Sequence, residues 1–150
     1  AENTDEKSIL NQRIMQFSGL DMNIKWPIHP RAKKKINEFK IEIPSNIEII
    51  EPLGYYDNIN HIKNAEFIIT DSGGLQKEAY WAGVPCYTLR NETEWGYTVE
   101  SGWNSLVPSE GDLKQIMQDH TVPSSKYLRE HTLSESRLIV EAIKKNIPAS

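Results

Sequence analysis

The sequence predicts an α/β domain in which helices cover both faces of a doubly wound, parallel, Rossmann-like sheet. Short apolar, strand-like runs alternate with helix-like segments along almost the whole chain, which is the pattern of successive βα units. The run Phe67-Ile68-Ile69 is apolar at consecutive positions, as expected for a strand buried on both faces of a parallel sheet. With 150 residues, the chain is long enough for one domain with its own core.

The predicted elements follow one another in regular order. Helix-like segments repeat apolar residues three or four positions apart, and capping or breaking residues mark their ends. They cover residues 4–19, 31–39, 56–65, 74–82, 93–101, 110–119 and 134–146. Strand-like segments are short and apolar, and cover residues 23–28, 47–50, 67–70, 85–89 and 105–107. We expect a sheet of about six strands, with ligands bound beyond the strands' carboxyl ends.

Individual residues justify several of these boundaries. In the first helix, Ile9, Leu10 and Ile14 recur at helical spacing, and Gly19 ends the run. Gly83 ends the helix that begins after the glycine pair at 73–74, because glycine accepts the left-handed conformation common just past a helix. In the last predicted helix the apolar stripe includes Leu138.

Composition narrows the classes of function. The formal net charge of −4 provides no basic field for collecting nucleic-acid phosphates, so we predict no nucleic-acid partner. No apolar run approaches the length of a membrane span and no signal peptide is visible, so we expect a cytoplasmic protein without a membrane partner. Cys86, the single cysteine, lies in an apolar run and is expected to be a buried, inert thiol. No zinc, thiol-pair or calcium motif is present, so we predict no metal and no cofactor.

The most informative stretch is "TDSGGLQKEA", residues 70–79, because it places two glycines between a buried strand and a helix. At Gly73 and Gly74 the backbone N–H groups can approach a ligand closely, and the helix directs its positive end at the same place. Ser72 adds a hydroxyl, and Glu78 could accept hydrogen bonds from ribose. The alternative is a tight turn in which glycine only relieves crowding.

The sequence as a whole resembles one family. The segments "WPIHPRAKK", "PLGYYDNI", "TDSGGLQKEA", "GVPCYTLRNETEW" and "ESGWNSLV" are similar in order and spacing to the carboxyl-terminal half of UDP-N-acetylglucosamine 2-epimerases, and "AENTD" resembles the end of that family's "HRAENTD" element. The resemblance runs from residue 1 to about residue 145. It implies a two-domain, glycosyltransferase-B-type fold, of which residues 1–150 form the second, nucleotide-binding domain. The amino-terminal domain of the family would then be a partner absent from this chain.

The resemblance also implies roles for single residues. Ser72, Gly73 and Gly74 match the turn that binds the UDP diphosphate, and Glu78 matches the acidic residue on the ribose. His29 matches a histidine that reaches UDP near the reacting sugar, which makes it the one catalytic residue expected in this chain. The alternative for His29 is a plain turn residue before proline.

Three further positions are expected at the binding cleft. Arg90 matches an arginine at the end of a strand, which would be structural or line the cleft. Trp95 stands where many members carry an arginine that reaches the phosphates. Asn58 stands where many relatives carry an aromatic residue near uracil. The departures at Trp95 and Asn58 change the contacts expected for UDP. We predict that Trp95 and Arg90 lie in the wall of the cleft rather than in the core.

The activity that the resemblance implies is inversion of carbon 2 of UDP-N-acetylglucosamine by elimination and re-addition of UDP, as used in cell-surface polysaccharide biosynthesis. This chain would bind UDP weakly and be inactive alone, since the family's acid and base carboxylates lie mainly in the other domain. The full-length protein could form a homodimer. Two alternatives remain: a non-catalytic nucleotide-sugar binding module, or the carboxyl-terminal domain of a glycosyltransferase.

Overall fold

The structure is a computed structural model that describes residues 2–124. The helices are α1 (Glu2–Asp5), α2 (Lys7–Ser18), α3 (Pro30–Phe39), α4 (Tyr55–Lys63), α5 (Gly73–Ala82), α6 (Gly96–Glu100) and α7 (Leu113–Asp119). The strands are β1 (Ile24–Pro27), β2 (Ile47–Ile50), β3 (Ile68–Thr70), β4 (Cys86–Thr88) and β5 (Asn104–Leu106). The predicted helix over residues 134–146 lies outside the described residues.

All strand pairs in the described part of the chain are parallel, which confirms the predicted α/β class. β1 pairs with β2, starting from Ile24 opposite Ile47. The strands β3, β4 and β5 pair in that order, with Ile69 opposite Tyr87 and Tyr87 opposite Ser105. The prediction of about six strands in one sheet is not met within residues 2–124, where five short strands form a two-stranded and a three-stranded sheet.

Helices pack on both faces of the three-stranded sheet. Tyr87 points into the main core, with residues of α2, α3 and α7. Its neighbours Cys86 and Thr88 point to the opposite face, because side chains alternate along a strand. On that face Thr88 donates a hydrogen bond to Asn104, and Asn104 donates one to Gln76 of α5. The domain is therefore doubly wound, as predicted.

One buried cluster joins the two sheets. Its members come from α2, α3, β2, β4 and α7 and from the residues that closely follow α2, β1, β4 and β5: Leu10, Ile14, Phe17, Leu20, Ile28, Ala32, Ile36, Ile47, Tyr87, Leu89, Val107 and Leu113. Trp26 packs edge-on against Phe17, which links β1 to α2. The two sheets thus share a core, although no ladder of hydrogen bonds joins them in the described residues.

Two helices of the structure have boundaries that differ from those predicted from the sequence. The amino-terminal segment is two helices, since Glu6 has an extended backbone (φ −107°, ψ 132°) and caps α2. The Asn3 side-chain amide donates a hydrogen bond to the Leu89 carbonyl, 86 positions along the chain. This long-range bond holds α1 in place independently of α2. α6 begins at Gly96 rather than near residue 93, because the Thr93 hydroxyl bonds to Gln76 and accepts from the Trp95 N–H. Gly83 ends α5 in the left-handed conformation (φ 70°), as predicted.

Candidate functional site

The turn between β3 and α5 has the strand–turn–helix form that the sequence predicts. Ser72 is the N-cap of α5: its hydroxyl oxygen accepts a hydrogen bond from the Leu75 N–H at 3.5 Å. The Ser72 N–H donates to the Thr70 hydroxyl at 3.0 Å, which fixes the entry into the turn. The Ser72 hydroxyl proton stays available to a ligand, since the capping bond uses only the oxygen.

Gly73 and Gly74 are the first two residues of α5, a helix of ten residues. The first N–H groups of a helix have no partner within it, so these two amides point outward with the positive end of the helix dipole. Other side chains closely approach Gly73: a Cβ there would collide with the Glu94 carboxylate, which would have to move, and would lie 3.0 Å from Nε1 of Trp95. At Gly74 the nearest atom to a Cβ would be the Ser72 hydroxyl, at 3.7 Å.

The loop after β4 covers the same turn. Arg90 forms an ion pair with Glu94, with Nη1 3.1 Å from Oε2, and both side chains are part-exposed. Trp95 is partly buried, its Nε1 has no hydrogen-bond partner in the described part of the chain, and its ring lies 4.1 Å below Nζ of Lys77. The structure therefore brings Trp95, Glu94 and, through Glu94, Arg90 to the Ser72-Gly73-Gly74 turn.

A buried polar network fixes that loop in place. Gln76, which is fully buried, accepts hydrogen bonds from the Thr93 hydroxyl at 2.6 Å and from Asn104 at 3.2 Å. The Thr98 hydroxyl donates to the Trp95 carbonyl at 2.7 Å and accepts from Asn104 at 3.0 Å. Because Gln76 sits on α5, one residue ties the loop of Trp95 to the helix whose first amides form the turn.

Glu78 and Asn58 lie side by side. Asn58 on α4 donates from Nδ2 to Oε2 of Glu78 on α5 at 3.3 Å, and both residues are partly buried. Two of the residues expected to contact the nucleoside are thus neighbours in space, although 20 positions separate them in the chain. The Asn58 amide orients the Glu78 carboxylate and leaves its other oxygen able to accept from a ribose hydroxyl.

His29 has a different setting. It is exposed and is the N-cap of α3, where its Nδ1 accepts a hydrogen bond from the Arg31 N–H at 3.2 Å. This bond assigns the ring proton of the neutral form to Nε2, which faces away from the cap. Within residues 2–124, no hydrogen bond or ion pair joins His29 to the turn at Ser72.

Sequence reasoning missed a polar cluster at the carboxyl ends of β4 and β5. Arg13 is buried, and it donates to Asn3 at 3.1 Å, to Gln16 at 3.1 Å and to the Val107 carbonyl at 3.3 Å. Burial lowers the pKa of the Arg13 guanidinium, and the nearby Asp71 carboxylate partly offsets this effect. The sequence signal for this cluster was an arginine next to the apolar stripe of the first predicted helix. Arginine is rarely buried without partners, so its position there indicates polar groups nearby.

The other titratable groups of residues 2–124 include one with a large pKa shift. Burial raises the pKa of the Cys86 thiol to about 11, which fits the predicted inert thiol. No group of three or more His, Cys, Asp or Glu side chains that could hold a metal ion is found among residues 2–124. No helix in that range is long and apolar enough to cross a membrane.

Comparisons with known proteins agree with the geometry. A family model described as UDP-N-acetylglucosamine 2-epimerase matches residues 1–134. A protein of Methanococcus maripaludis named UDP-N-acetylglucosamine 2-epimerase homolog is 48% identical over 113 residues, which are 73% of this chain and 32% of that protein. A UDP-2,3-diacetamido-2,3-dideoxy-D-glucuronate 2-epimerase of Pseudomonas aeruginosa is 34% identical over 116 residues, which are 75% of this chain and 32% of that protein.

Solved structures show the same fold. The UDP-GlcNAc 2-epimerase of Methanocaldococcus jannaschii in complex with UDP-GlcNAc and UDP matches with a TM-score of 0.69 and 34% identity, over 91% of this chain and 43% of that chain. The chain spans about a third of the length of the curated relatives it matches. The family match and these identities together establish that the chain belongs to the UDP-N-acetylglucosamine 2-epimerase family.

Proposed function

We propose that this chain supplies the UDP-binding part of a UDP-N-acetylglucosamine 2-epimerase. The observation that carries the proposal is the pair of outward amides of Gly73 and Gly74 at the start of α5, with Glu78 about one turn further along. The amides and the Ser72 hydroxyl would bind the diphosphate, and Glu78 would accept from the ribose. A related enzyme solved with UDP-GlcNAc and UDP supports a UDP-sugar as the ligand.

In the proposed reaction this chain stabilises the leaving group. A base removes the proton from carbon 2 of the sugar while the bond from carbon 1 to the UDP oxygen breaks, which leaves a glycal and UDP. UDP then adds back to carbon 1 and a proton returns to the opposite face of carbon 2. The outward amides and Arg90 would balance the negative charge that grows on the departing diphosphate.

The acid and base would come from an amino-terminal domain, which is the proposed partner of this one. His29 is proposed to reach the UDP at the edge of the cleft, through the Nε2 that its cap leaves available. We also propose a cytoplasmic location and a homodimeric full-length protein. Chain 1–150 alone should not turn over UDP-N-acetylglucosamine.

Glu78 provides the sharpest test of the ligand. Calorimetry should show that Glu78→Ala weakens UDP binding roughly tenfold, as expected when a charged acceptor is lost. Inorganic pyrophosphate should bind as before, since it has no ribose. Glu66→Ala, at an exposed position, is the control. Glu78→Gln keeps an acceptor for Asn58 and separates loss of charge from loss of packing.

Three results would count against the proposal or a part of it. Equal losses for UDP and pyrophosphate would mean that Glu78 supports the turn rather than the ribose. No UDP binding by the wild-type chain at millimolar ligand would remove the proposed function altogether. UDP binding together with sugar transfer to an acceptor in the full-length protein would favour a glycosyltransferase instead.

A further inference from the structure

Glu94 occupies an unusual place for an acidic residue on a surface that is proposed to bind phosphate. Its carboxylate stands against Gly73, so closely that a Cβ on that glycine would collide with it. The side chain is 50% exposed, and its other oxygen pairs with Nη1 of Arg90 at 3.1 Å. A negative group therefore already lies at the positive end of α5, where the proposed ligand would place a phosphate.

Electrostatics explain why the carboxylate rests there. The first N–H groups of a helix attract anions, and Gly73 offers no side chain that would keep one away. Arg90 balances the same carboxylate from the other side. The carboxylate carries the same sign of charge as a phosphate oxygen and lies against the first residue of α5, so it occupies space and positive potential that a phosphate would use.

The loop around Glu94 permits this one side chain to move. Thr93 is anchored to Gln76 at 2.6 Å, and the Trp95 carbonyl accepts from Thr98 at 2.7 Å. The backbone on both sides of Glu94 is thus fixed. In the described residues the Glu94 carboxylate has a single hydrogen-bond partner, Arg90, and the side chain can swing into solvent when that bond breaks.

We propose that Glu94 is a built-in competitor for the phosphate site and determines which anions the turn accepts. This inference rests on the proposed function. A ligand must displace the carboxylate from Gly73 and take over Arg90 as its own counter-ion. A diphosphate can do both at once, because its charge is larger and its oxygens can reach the amides and the guanidinium together. An anion with a single charge gains too little to replace a carboxylate that is held within the same chain.

The test compares Glu94→Gln with Glu92→Gln in calorimetric titrations of the 150-residue chain. The two variants remove the same charge two positions apart, and the Glu92 side chain is exposed. Glu94→Gln should tighten binding of UDP and of inorganic pyrophosphate, by about two- to tenfold, which corresponds to removal of one charge competing at a helix end. Uridine binding should not change in either variant, and Glu92→Gln should match the wild type.

A second readout needs no ligand. In the Glu94→Gln variant the amide resonance of Gly73 should shift, because the charge beside it is gone, whereas Glu92→Gln should leave it in place. The inference is overturned if the wild type binds UDP and Glu94→Gln binds it equally well or more weakly. Equal binding would mean that the carboxylate has no effect on the ligand, and weaker binding would mean that it belongs to the ligand's site. That result leaves the proposed function standing. Absence of UDP binding in both proteins would overturn both.

Discussion

Gly73→Ala tests whether the turn is built for close approach. The substitution adds one methyl group at a position where the new carbon would collide with the Glu94 carboxylate and lie 3.0 Å from Nε1 of Trp95. Gly74→Ala is the matched control, because the nearest atom to its new carbon is the Ser72 hydroxyl at 3.7 Å, an ordinary contact. Both glycines lie in the first turn of α5, so the effect of the residue type on the helix is similar.

The expected change in folding stability is small for both variants. Replacing glycine by alanine in a helix contributes roughly 0.5–1 kcal/mol. In Gly73→Ala the Glu94 carboxylate must move and its part-exposed ion pair with Arg90 breaks, which costs about 0.2–1 kcal/mol. The two effects nearly cancel, so the free energy of unfolding should stay within about 1 kcal/mol of wild type, whereas Gly74→Ala should gain about 0.5 kcal/mol.

The site should respond much more strongly than the fold. In Gly73→Ala the methyl group stands where an anion would contact the amide, so UDP affinity should fall roughly tenfold or more. The Trp95 indole must also tilt, and its fluorescence should change. The Trp95 signal is isolated from those of the other three tryptophans by subtracting the spectrum of a Trp95→Phe background. Unchanged Trp95 emission and unchanged UDP affinity in Gly73→Ala would refute the proposed crowding at this glycine.

Three further predictions concern the core. Arg13→Met should lower the free energy of unfolding by about 2–4 kcal/mol in urea denaturation, because it leaves Asn3, Gln16 and a strand-end carbonyl without their donor. The control Lys7→Met, at an exposed position of the same helix, should leave the free energy of unfolding nearly unchanged. Equal losses of stability in the two variants would contradict the proposed network. Since burial raises the pKa of the Cys86 thiol to about 11, iodoacetamide at about pH 8 should label it far more slowly in the native chain than in urea. The free energy of unfolding should fall as pH rises from about 8.5 to 11, because the unfolded chain releases that proton first.

The sequence was sufficient to predict the turn because its determinants are local. An apolar strand, a hydroxyl cap, two glycines and a helix ended by Gly83 are consecutive in the chain, and each acts through its own backbone conformation. The cap formed by His29 was also readable, because a proline at the first helical position marks the residue before it as the N-cap. The cap uses only Nδ1 and leaves Nε2 available to a ligand, so the contact of His29 with UDP stays a prediction.

The partners around the turn could not be predicted in this way. The contact of Glu94 with Gly73 and the hydrogen bond between Asn58 and Glu78 depend on how β4 and α4 pack beside α5, which no local pattern records. The break at Glu6 arises in the same manner, since the Asn3 side chain bonds to a carbonyl 86 positions away and overrides a continuous helical repeat. Long-range packing therefore determines which side chains contact the turn and where a helix is interrupted, whereas local propensity determines which segments form helices and strands.

The central claim is that the amino end of α5 binds the diphosphate of UDP, and amide NMR with a UDP titration tests it most directly. The resonances of Gly73 and Gly74 should show the largest shifts, followed by residues around Glu78 and Trp95. Inorganic pyrophosphate should reproduce the glycine shifts without those around Glu78. Shifts that instead cluster elsewhere, for example in the open groove at β5 lined by Val99, Ile116 and His120, with Gly73 and Gly74 unmoved, would contradict the account.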